Sequence, residues 1–70
     1  MNNNTGDWYA VQIWLLSNQR SQSWLASRLG ITRQTIHLWK KAGKIKLIHQ
    51  LAIAYVTGES VEQLFFKEEV

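Results

Sequence analysis

Arg33, Gln34 and His37 fall within one helical turn of each other in the stretch ITRQTIHLWKKAGK, and Lys40, Lys41 and Lys44 follow. These side chains are rich in hydrogen-bond donors, and no carboxylate interrupts them. The chemistry open to such a set is non-covalent: cations and an amide presented to an anionic or polar-edged partner. The wider charge pattern agrees. All five acids lie toward the ends, at Asp7, Glu59, Glu62, Glu68 and Glu69, whereas Arg20, Arg28, Arg33, Lys40, Lys41, Lys44 and Lys46 occupy the acid-free interval between Asp7 and Glu59. Segregation of this kind suggests a polyanionic partner. The plainer alternative is a solvated basic surface with no partner.

Bond-making chemistry has little footing. Asp7 is the sole aspartate and begins a helix, no pair of carboxylates lies in the middle of the chain, and no glycine-rich phosphate loop is present. With no cysteine and only two histidines, His37 and His49, the chain lacks the roughly four ligands of a structural zinc site. We therefore expect no enzyme, no catalytic residue, no metal, no cofactor and no small-molecule substrate.

Seventy residues allow one domain. A domain this small buries only about 60% of its unfolded surface, and disulfides cannot help. Hydrophobic residues make up 46% of the chain, with four tryptophans, so the core is well supplied and a second subunit could complete it. The longest apolar run, Ile13 to Leu16, is far short of the roughly 20 residues of a membrane span. The segment MNNNTG has neither the charged nor the apolar region of a signal peptide. The expectation is a soluble cytoplasmic protein.

The elements needed to position the polar set are helical. Proline is absent, and Gly6, Gly30, Gly43 and Gly58 divide the chain. Residues 1–6 read as a flexible arm, 7–66 as the domain and 67–70 as a tail. Asp7 is a good N-cap for a first helix reaching Ser17 or Asn18, with Trp8, Val11, Leu15 and Leu16 on one face. A second helix begins near Ser21 and ends at Gly30. Thr32 caps a third, stopped by Gly43. A fourth runs from Lys44 or Ile45 to Val56 with Ile48, Leu51, Ala52 and Tyr55 on one stripe. Ser60 opens a fifth, with Gln63 completing a capping box. A short strand in FFKEEV is the less favoured reading of the tail.

The second and third helices are separated by a three- or four-residue turn. Helices that cross sharply through such a turn must approach closely. Ala26 provides a small inner contact, Gly30 tolerates a positive φ, and Ile36 anchors the next helix one turn in, with Leu25, Leu29, Ile31 and Trp39 filling the wedge. At about 100° per residue, Ile36 and Trp39 share one side of the third helix. Gln34, His37, Leu38 and Lys41 share the other, and Arg33 stands at its edge.

The segment SQSWLASRLGITRQTIHLWKKAGK resembles the helix-turn-helix of the lambda-repressor-like family, which includes phage Cro proteins and XRE-type regulators. Gln22, Leu25, Ala26, Leu29, Gly30, Ile31, Thr32, Ile36 and Trp39 match its pattern. The likeness continues through LIHQLAIAY and TGESVEQLF, covers roughly residues 8 to 66, and is nearest to Cro-like proteins. It implies an all-α, compact five-helix domain. It also implies a transcription regulator, a phage or prophage repressor, that sets its third helix in the major groove of a near-palindromic operator as a homodimer.

In that setting Arg33 and Gln34 are the expected base readers, since arginine grips guanine and glutamine grips adenine with paired hydrogen bonds. His37 would donate to a base or phosphate, and Leu38 suits a thymine methyl or a protein contact. Gln22, Thr32, Lys40, Lys41 and Lys44 are expected at the DNA backbone. Thr32 alternatively serves only as a cap, Lys46 and Arg28 read as solvated, and His49 reads as a surface or core-edge residue. Phe66, Tyr55 and Trp14 are the expected dimer contacts. Trp24 either packs over the first helix or meets the sugar-phosphate edge. The competing reading is a protein-interaction module on the same fold, such as an antitoxin or anti-repressor.

Overall fold

Glycine and hydroxyl caps set the boundaries of a chain that is mostly helix. The computed structural model describes residues 3–67. It contains α1 (Trp8–Ser17), α2 (Gln22–Leu29), α3 (Arg33–Ala42), α4 (Leu47–Thr57) and α5 (Val61–Phe65), together with two-residue strands β1 (Asn3–Asn4) and β2 (Phe66–Lys67). The hydroxyl oxygens of Ser21, Thr32 and Ser60 accept from the backbone N–H groups of Trp24, Thr35 and Gln63. Ser60 and Gln63 form the reciprocal capping box. Gly30, Gly43 and Gly58 end α2, α3 and α4 in the left-handed region.

The core is a single cluster built on Trp8, Val11, Leu15, Leu25, Ala26, Ile36, Ile45, Ile53 and Phe65. Complete burial of side chains such as Leu25 and Ile36 stabilises by about 1.5–3 kcal/mol each. Among the described residues, no helix is long and apolar enough to cross a membrane.

Three local expectations need correction. First, α4 begins at Leu47, because Ile45 is drawn into the core while Lys46 keeps an extended backbone. Its inward face is Gln50, Ile53 and Ala54. The stripe of Ile48, Leu51, Ala52 and Tyr55 instead faces outward. Both faces of this helix are apolar, so periodicity alone does not choose between them. The buried amide of Gln50 does, because it donates to the Ile45 carbonyl and accepts from Asn4 Nδ2, both at 2.7 Å.

Second, residues 3–6, expected as part of a flexible arm, form a bonded strap. Asn3 and Asn4 pair antiparallel with Lys67 and Phe66, so Lys67 joins a strand rather than a free tail. Thr5 donates its N–H to the Phe65 carbonyl at 2.8 Å, and Ile45 donates to the Gly6 carbonyl at 2.6 Å. The strap thus satisfies backbone groups of two distant segments that would otherwise be left unpaired. Residues 1–2 and 68–70 lie outside the described residues.

Third, Asp7 occupies the N-cap position of α1 without a side-chain cap bond. Its carboxylate takes a proton donor from another element, Lys44.

Candidate nucleic-acid interface

The corner between α2 and α3 fixes the direction of the polar helix. Gly30 has φ +72°, and the N–H of Ile31 donates to the Ala26 carbonyl at 3.0 Å, closing the end of α2. Ala26 is 3% exposed and Ile36 1% exposed, so the small residue and the anchor both lie inside. Leu29, Ile31 and Trp39 pack half-buried around them. Trp39 also lies against His49 of α4, with ring centroids 5.0 Å apart, which accounts for His49 as a core-edge residue.

With Ile36 inward, α3 must present its opposite side to solvent. Arg33, Gln34, His37, Leu38, Lys40 and Lys41 are all exposed. Gln22, at the first position of α2, comes together with Arg33, Gln34 and His37 around one shallow cleft of about 290 Å³. The side chains of these four residues have no hydrogen-bond or ion-pair partner among the described residues. Their donors and acceptors therefore face water and are free for a ligand. Leu38, 62% exposed, borders a separate groove with Thr35, Trp39, Ala42, Lys44, Lys46 and His49.

Two of the expected backbone-contact residues have internal duties. Thr32 caps α3, and its hydroxyl also lies 3.2 Å from that of Thr35. Lys44 bonds the Thr5 carbonyl at 2.9 Å and the Asp7 carboxylate at 2.6 Å. That ion pair is the one found among the described residues, so Lys44 is a neutralised cation. Among the described residues, Arg33, Lys40 and Lys41 have no carboxylate paired with them, so their charge is not neutralised there. Lys46, read from sequence as merely solvated, borders the Leu38 groove.

Among the described residues, no group of three or more histidine, aspartate or glutamate side chains converges to hold a metal ion. The three apolar residues expected to meet a partner occupy different settings. Tyr55 is 88% exposed. Phe66 is half-buried against the core, and Trp14 is half-buried on α1. Trp14 stacks on Trp24 with centroids 5.9 Å apart and planes 24° from parallel. The Arg20 guanidinium covers the Trp24 ring at 4.9 Å, and the Trp14 indole donates to Glu59 at 3.3 Å. This Arg20–Trp24–Trp14–Glu59 ladder spans three helix boundaries and gives Trp24 its packing role. Sequence pattern missed the ladder because its members lie up to 45 positions apart.

Compared with family models, curated proteins and solved structures, the chain matches none, so the reading of this interface rests on its own residues.

Proposed function

We propose that the chain is a sequence-specific double-stranded DNA-binding regulator, with α2 and α3 acting as a helix-turn-helix. One observation carries the reading: Ile36 is sealed inside while Arg33, Gln34 and His37 line a single outward cleft with Gln22, their side chains unpaired among the described residues. A buried anchor under a row of unengaged donors is what major-groove readout requires of a short helix. The acid-free interval between Asp7 and Glu59 supports it, because phosphate attraction supplies most of the non-specific affinity of such proteins.

In this reading Arg33 and Gln34 contact base edges, and His37 and Leu38 contact the neighbouring pairs. Gln22, Lys40 and Lys41 hold phosphates. Thr32 and Lys44 contribute less, because capping and the Asp7 pair already engage them. The protein acts as a repressor at a near-palindromic operator. Two copies set their α3 helices about 34–36 Å apart, one turn of DNA.

The test is selection of bound duplexes from a random pool, followed by titration of the winner at several salt concentrations. A defined half-site and a linear fall of log K with log salt are expected. Weak binding with no sequence preference would favour the protein-interaction module, for which the exposed apolar outer faces of α1 and α4 are the supporting feature.

A further inference from the structure

The outward arc of α4 holds Leu47, Ile48, Leu51, Ala52 and Tyr55, and every one of them is exposed. Leu47 is 57% exposed, Ile48 70%, Leu51 55% and Tyr55 88%. At about 100° per residue they form one continuous arc, and the remaining α4 residues face the core side. The whole helix, LIHQLAIAYVT, contains no lysine, arginine, aspartate or glutamate. Surface helices ordinarily carry charge on the outer face. Five such side chains amount to on the order of 500 Å² of apolar surface, near the top of what a monomer exposes in one patch.

We infer that this face packs against the same face of a second copy of the chain, across a two-fold axis near Leu51. Near such an axis each residue meets its own copy, so a charge there would meet its like. An uncharged helix face is the composition that self-pairing demands. Leu51 is central in the arc, so an antiparallel pair sets Leu51 on its copy and Leu47 against the partner's Tyr55, with Ile48 filling the seam. A standard interface takes about 800 Å² from each partner, so the arc alone supplies more than half of one. The outer face of α1 is also uncharged but fits less well, because its exposed stripe of Tyr9, Ile13 and Leu16 is narrower, Gln12 and Ser17 flank it, and Thr5 and Asp7 edge its groove. The α4 pairing deepens the DNA-binding reading and rests on it for one feature only: α4 touches α3 through His49 and Trp39, so the axis fixes the separation of the two α3 helices.

Sedimentation of the full chain without DNA tests the inference. The wild type should form a dimer. Leu51→Glu should weaken it by about 30-fold or more, the effect of losing a central anchor, and Tyr55→Lys, which sets a charge against the partner's Leu47, by about 10-fold, while circular dichroism melts show both variants folded. Tyr55 is so exposed that its replacement leaves the fold intact even if Leu51→Glu does not. Ile13→Glu on α1 should leave the dimer unchanged. A wild type that stays monomeric at high concentration overturns the inference, as does a dimer that Ile13→Glu dissociates and both α4 variants spare. Titration of a selected half-site and of the paired site separates the two ideas. A dimer that ignores DNA sinks the regulator reading and leaves the α4 pairing standing, whereas a monomer that reads a half-site does the reverse.

Discussion

The ammonium of Lys44 and the carboxylate of Asp7 lie 2.6 Å apart, joining the loop after α3 to the start of α1. Their side chains are 71% and 32% exposed, so water screens the pair and its stability contribution is at most about 1 kcal/mol. Its larger effect is to neutralise one cation beside the proposed DNA-binding surface. Lys41→Ala should therefore reduce the slope of log K against log salt by about 0.9, the value for one lost phosphate contact, and Lys44→Ala by clearly less. Asp7→Asn, which frees Lys44, should tighten binding. Equal slopes for the two lysine variants would show that the Asp7 pair does not hold in the complex.

Arg33 and Lys41 belong to different classes of contact. Arg33→Ala should cost about 1–3 kcal/mol on the preferred site and relax selectivity at one base pair, whereas Lys41→Ala should weaken all sequences alike. Binding to a panel of single-substitution duplexes distinguishes the two patterns. A uniform loss for both variants would remove Arg33 from the readers.

Gly6 has φ +57°, and a Cβ there would lie 2.9 Å from Gln50 Nε2 and 3.0 Å from the Ile45 carbonyl oxygen. Gly6→Ala therefore meets both backbone strain and a clash with a buried hydrogen-bonding group. We expect a loss of about 1–3 kcal/mol, read as a lower denaturation midpoint. Gln50→Leu should cost a similar amount, because the Ile45 carbonyl loses its side-chain donor and Asn4 its acceptor. Wild-type stability in either variant would mean that the strap is not bonded as described.

Ala26 and Ile36 hold the α2–α3 corner from its two sides. Ile36→Ala should destabilise by about 2–5 kcal/mol through cavity formation, and Ala26→Leu by about 1–3 kcal/mol through overpacking. Because Ala26→Leu wedges the helices apart, it should also weaken DNA binding in the fraction that remains folded. Chemical denaturation and a binding titration on the same samples measure both effects.

Much of the frame is legible locally. Ser21, Thr32 and Ser60 cap helices where their hydroxyls precede apolar runs, and Gly30, Gly43 and Gly58 stop them. Ile36 and Gln34 sort to opposite sides of α3 because that helix has a polar and an apolar face. The facing of α4 is not legible in this way, since an uncharged helix gives periodicity nothing to distinguish. The strap, the Lys44–Asp7 pair and the Trp14–Trp24 stack are also hidden. Each joins residues brought together only by tertiary packing, from 10 positions apart for the tryptophans to 60 for Thr5 and Phe65 and more for Asn3 and Lys67.

The antiparallel pairing of Asn3–Asn4 with Phe66–Lys67 has a consequence for biosynthesis. The earliest residues of the domain wait for nearly the latest before their ladder can close. On a translating ribosome, α1 through α4 can emerge and collapse, but Asn4 and Thr5 lack their Phe65–Phe66 counterpart until those residues clear the exit tunnel. Completion of this domain therefore includes closing a loop between Thr5 and Phe65, 60 positions apart, a step that cannot precede the emergence of Phe65.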